Sequence, residues 1–375
     1  VGEEQGVPAE VLRGTTQNDI LKEYIARGNF IYPPEGSMRL TTDLFAYCKE
    51  NVPRWNTVSI SGYHFREKGC SAVQEVAFTL SSGIAYVQAA IDAGLAVDDF
   101  APRLAFFFNG HNNVFQEVAK FRAARQMWAS IMRDRFGARD EKSLKLRFHT
   151  QTGGVTLTAQ QPENNIVRVA LQGFAAVCGG TQSLHTNGFD EALALPTERA
   201  AKIALRTQQI IGHESGATDT VDPFAGSYFV EALTSEIEQR ATELIGKVDE
   251  LGGSVNAIAY IKNEIEESAW GYQERYAQGQ DIVVGVNKYV DEALEVQDLL
   301  RVDPATEHAQ VDRLKAFKAN RDQELTDRRL EELRAAARGK DNLLPFIRQA
   351  LKDNASMGEV CGAMRDVFGT YQADI

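Results

Sequence analysis

Between residues 10 and 228 the chain repeats one pattern: a short apolar or alternating segment, a polar tip, then in most instances a longer stretch of helical period. The segments read EVLRGTTQND (10–19), TVSISGYH (57–64), RLAFFFNGH (103–111), LKLRFHTQTGG (144–154), GTQSLHTN (180–187) and TDTVDPFAGSY (218–228). Strand followed by helix, repeated, builds a parallel sheet, because parallel neighbours can be joined only by a crossover. The stretches between carry the crossover signal. Val73, Val76, Ala77, Leu80, Ile84 and Val87 share one helical face, as do Val114, Val118, Phe121, Ala124, Met127 and Ile131. Units of about 40 residues, with no Gly-rich phosphate turn after the first strand, favour a barrel over a doubly wound sheet. The expectation is therefore an α/β fold, a TIM (β/α)8-type barrel that is incomplete. About six β/α units fall within the chain, and about two further strands are expected upstream of Val1.

Past Tyr228 the pattern turns to helices alone. Three regions are expected: residues 1–290 as the partial barrel with its last helices, 291–340 as a charged helical linker, and 341–375 as C-terminal helices. The linker reading rests on charges spread around most faces, with Glu331 near Arg334 at helical spacing. The last stretch divides into two amphipathic helices at Asn354 to Ser356.

Charge and composition exclude several functions. A formal net charge of -12 is wrong for a body that grips nucleic acid, which needs a basic stripe. No apolar run reaches the roughly 18 residues that span a bilayer, so no membrane partner is expected. Four cysteines stand far apart without metal-ligand spacing, which suits a reducing compartment and a cytoplasmic location. The N-terminus VGEEQGVPAEVLRG has neither a signal nor a transit pattern and no initiating methionine, as expected of a fragment.

Histidine is scarce, with six in the chain, yet His64, His111, His149 and His185 all fall at candidate strand ends. In a parallel barrel those ends open on one face, where loops build active sites. Metal binding is the obvious use for converging imidazoles. It is not favoured, because each strand offers one histidine flanked by Thr, Gln or Asn, which are poor zinc ligands. Such groups suit a large polar ligand instead, and no dedicated carboxylate or lysine base stands at the tips. Arg27 precedes an aromatic and proline turn, and Arg103 opens a strand. Each is either a surface charge or a fork for a carboxylate or phosphate.

The runs GYHFREKG, FAPRLAFF, FHTQTGG, GGTQSLHTNGFDEALALPTERAAKIALRTQ and VDPFAGSYFVE resemble the coenzyme-B12-dependent acyl-CoA mutases of the methylmalonyl-CoA mutase family, from the first residues to VVGVNKYV near 290. The resemblance implies a barrel holding an acyl-CoA along its axis, with adenosylcobalamin pressed against its mouth mainly by another domain or subunit. The reaction it implies is isomerisation of a carboxylated acyl-CoA, (R)-methylmalonyl-CoA to succinyl-CoA, by a radical route. His64 would hydrogen-bond the thioester carbonyl, Tyr63 would line the radical site, and Arg27 would hold the free carboxylate. Thr15, Thr16, Gln17, Arg54 and Arg103 would contact CoA. Glu67, His149, Gln151, Asn187 and Glu191 would face the corrin and adenosine.

Partners implied are a cobalamin-binding small subunit or domain and a G-protein chaperone, in an oligomer. The chain also departs from the family pattern. The DxHxxG cobalamin signature is absent, Ile211 standing at the aspartate position before His213 and Gly216, and Ala105 stands where a serine is usual. Arg27 weighs against substrates without a second carboxylate, such as isobutyryl-CoA, but leaves ethylmalonyl-CoA open. The other classes are a non-catalytic truncated barrel that binds a cobalamin subunit and a metal-dependent hydrolase.

Overall fold

The computed structural model describes residues 1–291 and 299–372. Four parallel strands form one sheet in the order β1 (Val58–Ser61), β2 (Leu104–Gly110), β3 (Phe148–Thr152) and β4 (Ser183–His185). Helices α1 (Pro34–Asn51), α2 (Tyr63–Lys68), α3 (Ala72–Asp92), α4 (Val97–Phe100), α5 (Val114–Ser130), α6 (Asn164–Cys178) and α7 (Glu198–Glu214) lie before, between and after them. Then follow α8 (Tyr228–Glu250), α9 (Ile258–Ala277), α10 (Pro304–Ala319), α11 (Gln323–Arg338), α12 (Leu343–Lys352) and α13 (Met357–Phe368). This is a partial (β/α) barrel followed by a helical region. The helical stripes read from the sequence are buried: Val76, Ala77, Leu80 and Val87 on α3, and Val118, Phe121 and Ala124 on α5. Ser71 starts α3 with a reciprocal cap, its hydroxyl accepting from Gln74 N–H while Gln74 Oε1 accepts from Ser71 N–H.

Two of the six expected strands are not strands. Residues 10–19 contribute one parallel bridge, Thr15 to Asn56, and the segment starts inside a 3-10 turn, Ala9–Val11, instead of a strand. Residues 218–228 form turns, with Asp222 at φ 47° and Gly226 at φ 81° around Pro223.

The sheet divides its side chains by the two-residue period of a strand. Phe106, Phe108 and Phe148 face the helices, where Phe106 meets Trp128 edge-on at 4.8 Å and Phe148 stacks on Phe121 at 5.0 Å. Phe107, His149 and Gln151 face the other way.

The charged stretch expected as a solvated linker behaves in two ways. Residues 292–298 lie outside the described part. Helix α10 buries no side chain, whereas α11 buries Leu330, Leu333, Ala336 and Ala337. Those residues join Leu343, Ala350, Val360 and Met364 in a second small core, with α12 and α13 separated at Asn354 (φ 66°) as expected. This bundle packs back on the segment before α1. Tyr32 donates to Cys361 O at 3.0 Å, and the Tyr371 ring lies edge-on to Tyr24 and Phe30.

Candidate active site

Strand β1 ends at Ser61, and the chain turns at Gly62 into α2. Tyr63 and His64 therefore fall in the first helical turn, with Glu67 one turn on. A Cβ on Gly62 would stand 2.2 Å from Thr79 Oγ1, so only glycine lets the strand pass into α2 this close to α3.

Parallel register sets the rest. Phe107, His149 and Ser183 pair across β2, β3 and β4, and Asn109, Gln151 and His185 form the next row. Gln151 Nε2 donates to the Tyr63 hydroxyl at 2.9 Å and to Asn187 Oδ1 at 3.0 Å. Asn187 is fixed by Thr152: its N–H donates to Thr152 Oγ1 at 2.9 Å and its Nδ2 to Thr152 O at 3.1 Å. The Tyr63 ring lies flat on Phe107, centroids 4.8 Å apart. Asn109 Nδ2 and Val155 N–H donate to the two oxygens of Glu67 at 2.7 and 2.9 Å. Gly154 lies among these groups. A Cβ there would meet Glu67 Oε2 at 3.0 Å, Asn187 Nδ2 at 3.2 Å and the Tyr63 hydroxyl at 3.6 Å. Tyr63, Glu67, Gln151 and Asn187 thus converge on one stretch of bare backbone. His149 shares a 2.7 Å hydrogen bond with Ser183 Oγ beside them, and exposed Glu191 lies within charge reach of Glu67.

Burial disfavours charge on several of these groups. Burial raises Glu67 to about 7 and also raises Glu191, where the Asp190 charge adds to the effect. Burial lowers His149, with His185 adding, and lowers His185 itself. His64 stands edge-on to Tyr63 and Phe107, and burial, reinforced by the charges of Lys22 and Arg27, pulls it down to about 3. It is therefore neutral at ordinary pH, and its Nδ1 is buried with no hydrogen-bond partner among the described residues. Arg27 closes a π-helical turn, Glu23–Arg27, that ends at Gly28 with φ 83°. Its guanidinium is half exposed and lies 3.6 Å from Glu23 Oε1.

The other expected contacts stand at the opposite ends of the strands. Thr15, Arg54 and Arg103 line a cavity of about 520 Å³ together with Arg13 and Arg147. Thr16 accepts from Trp55 Nε1 at 2.8 Å and Gln17 is exposed, and neither lines that cavity. Of the four strand-end histidines, His111 is tied through its backbone to the Glu117 and Lys120 cluster. Its backbone N–H donates to Glu117 at 3.1 Å, and its ring lies within charge reach of Arg66, Glu117 and Lys120. Among the described residues no three His, Cys, Asp or Glu side chains are grouped to hold a metal ion.

The family model described as methylmalonyl-CoA mutase matches residues 1–370. This chain belongs to the methylmalonyl-CoA mutase family. The match continues past residue 290, where the sequence resemblance ended, and takes in α11 to α13. Among its relatives, the methylmalonyl-CoA mutase of Rhizobium meliloti (strain 1021) is 49% identical over 376 residues, 99% of this chain and 53% of that protein. The mitochondrial methylmalonyl-CoA mutase of Homo sapiens is 46% identical over 377 residues, 100% of this chain and 50% of that protein. The probable mitochondrial enzyme of Caenorhabditis elegans is 46% identical over 374 residues, 99% and 50% respectively. The chain spans about half the length of these mutases.

Three residues that line the cavity or the cluster in this mutase-family chain escaped sequence reasoning. Arg147 stands one residue before β3 just as Arg103 stands one before β2, and that equivalence was the available signal. Arg13 carried no signal. Asn109, fully buried at the end of β2, was legible only as part of a strand tip.

Proposed function

We propose that this chain forms the acyl-CoA-handling part of an adenosylcobalamin-dependent isomerase that interconverts (R)-methylmalonyl-CoA and succinyl-CoA. The observation that carries the reading is the pairing of a neutral His64, its Nδ1 buried and unpartnered, with the half-exposed guanidinium of Arg27 in the same electrostatic neighbourhood. A carboxylated acyl thioester offers one acceptor to each. Arg27 binds the free carboxylate as a charged fork. His64, as the neutral tautomer, donates to the thioester carbonyl and stabilises charge that develops on that oxygen. Tyr63, held flat on Phe107 and tied to Gln151, excludes water from the carbons between them.

The cation-lined cavity at the opposite strand ends suits the phosphates of CoA, with Arg54 and Arg103 as the expected contacts and Arg13 and Arg147 beside them. The rim of Glu67, His149, Gln151, Asn187 and Glu191 fits a large uncharged ligand rich in hydroxyls and amides. Its imidazole is lowered, its carboxyls are raised, and the Gly154 backbone, bare of a side chain, lies between them. When bound there, adenosylcobalamin supplies a cobalt–carbon bond weak enough to break homolytically, and so a means of removing hydrogen from an unactivated carbon. The cobalamin-binding subunit or domain, a G-protein chaperone, an oligomeric state and a cytoplasmic setting belong to this proposal.

The test is turnover by the full-length protein with adenosylcobalamin and its cobalamin-binding domain, on methylmalonyl-CoA, ethylmalonyl-CoA and isobutyryl-CoA. Methylmalonyl-CoA is expected to react fastest. Faster ethylmalonyl-CoA turnover reassigns the substrate, binding of acyl-CoA without turnover assigns a non-catalytic role, and conversion of isobutyryl-CoA alone overturns the role of Arg27.

A further inference from the structure

Lys22 is a cation that the site described so far does not use. Its side chain is 1% exposed, and its Nζ has no hydrogen-bond partner among the described residues. The acid nearest it is its neighbour Glu23, whose Oε1 lies 3.3 Å from Lys22 Nζ and 3.6 Å from Arg27 Nη1. One carboxylate oxygen is thus shared between a buried ammonium and the guanidinium expected to seat the substrate. The other oxygen accepts from Asn29 N–H at 3.2 Å, just past the π-helical turn.

This arrangement resolves an electrostatic conflict. A carboxylate that orients an arginine also neutralises it, and a neutralised arginine attracts no further anion. With Lys22 added, the trio holds two positive charges and one negative, so one positive charge remains for a ligand at the exposed end. The other titratable groups nearby have partners or surroundings of their own. Asp19 is held by three donors of its own, accepting from Ser61 N–H at 2.8 Å, Lys22 N–H at 3.2 Å and the Tyr86 hydroxyl at 2.5 Å, and burial raises its pKa above the usual carboxylate value. Lys68, which reaches Ile25 O in the same turn, is paired with Glu266 at 3.0 Å. His64 is neutral. The π-helical turn itself is a feature found often at functional sites, since the extra residue per turn re-aims side chains.

We infer that Glu23 orients Arg27 and that buried Lys22 offsets the charge of Glu23, so that together they set the preference for acyl-CoA esters bearing a free carboxylate. Lys22 touches no substrate and is a positioning residue. The inference rests on the carboxylated-substrate reading above.

The experiment is equilibrium binding of methylmalonyl-CoA and isobutyryl-CoA to the full-length protein without adenosylcobalamin, by calorimetry, so that no turnover enters. The readout is the ratio of the two dissociation constants. Lys22→Met leaves Glu23 to cancel Arg27, and the preference for methylmalonyl-CoA is expected to fall about tenfold. The double variant Lys22→Met with Glu23→Gln restores the single positive charge and is expected to recover most of the preference. A merely structural lysine would give no such recovery. Glu23→Gln alone leaves two positive charges and is expected to raise the preference. A Lys22→Met ratio equal to the parent's, or a double variant as poor as the single, overturns the inference. Where Lys22→Met does not fold, Glu23→Gln decides, and an unchanged or lowered ratio overturns it. If the parent protein itself fails to prefer methylmalonyl-CoA, the carboxylated-substrate reading has failed first and the inference falls with it.

Discussion

Gln151 donates a 2.9 Å hydrogen bond to the hydroxyl of Tyr63, which ties the middle of β3 to the first turn of α2. The same amide reaches Asn187 beyond β4 at 3.0 Å, so one side chain spans three elements of the site. Gln151→Leu would keep the volume and leave the Tyr63 hydroxyl and Asn187 Oδ1 short of a donor in a mostly buried setting. Such a loss costs about 1–3 kcal/mol. A urea unfolding midpoint lowered accordingly is expected, with a smaller loss for Tyr63→Phe, which removes the hydroxyl itself.

Glu67 gives the site a pH signature. Its carboxyl is raised to about 7 by burial, so between the unfolded value near 4.5 and 7 the folded state holds more protons than the unfolded one. Stability from this group is greatest below pH 4.5 and is lost as pH rises through 7. Glu67→Gln removes that slope. The Gln amide can satisfy Asn109 if the Asn109 amide turns over, which would bring Oδ1, now buried without a partner, into use. Chemical denaturation at pH 5, 6, 7 and 8 is expected to show a flatter profile for Glu67→Gln, with its gain over the parent largest at pH 8.

Much of this architecture was written in local pattern. The stripes on α3 and α5, the strand cores at 58–61 and 104–110, and the split between α12 and α13 all follow from periodicity or caps, which act over a few residues. What was not legible depended on distant partners. Whether Thr15 opens a strand depends on how many neighbours pair with it, and among the described residues only Asn56 does. The charged faces of α11 looked solvated because its apolar side, Leu330 with Leu333 and Ala337, finds its cover on distant partners, α12, α13 and Tyr32. In the site, alternation placed His149 and Gln151 on one face of β3. It could not show that the backbone N–H of His111, one residue past β2, would be held by Glu117.

Lys120 is the buried charge on which the helix side of β2 depends. It is 0% exposed and lies 2.7 Å from Glu75, 2.5 Å from Glu117 and 2.6 Å from Asn109 O. Glu75 accepts from Asn109 N–H at 2.7 Å, so the cluster also fixes the strand end that holds Glu67. Lys120→Met strands two carboxylates in a dry interior, a change that costs about 3–5 kcal/mol. A large fall in the thermal midpoint is expected. Adding Glu75→Gln and Glu117→Gln to Lys120→Met is expected to regain part of it, since the uncompensated charges are then gone.

Arg39 joins the C-terminal bundle to the helix that follows the Arg27 turn. Its Nη1 donates to Ala337 O at 2.7 Å, and its Nη2 to Ala336 O at 3.1 Å and Asp341 O at 2.9 Å. These are carbonyls at and just beyond the last turn of α11, where a cation is favoured, and Ala336 O also accepts from the backbone N–H of Gly339. One turn further along α1, Asp43 accepts from Leu343 N–H at 3.0 Å at the start of α12, while Asn342 Nδ2 donates to Asp43 O at 2.8 Å. The α11–α12 junction is thus held at both sides by α1, and α1 begins at Pro34, a few residues after Arg27. Arg39→Ala leaves three carbonyls without this donor and is expected to cost about 1.5–3 kcal/mol, as for hydrogen bonds to a charged group. Hydrogen exchange is the measurement that locates the loss. Amides of α11, α12 and α13 are expected to exchange faster in Arg39→Ala while those of β2 and β3 keep their protection. Equal acceleration in the strands would mean that the bundle and the sheet unfold as one unit, and the bracing role assigned to Arg39 would then be wrong.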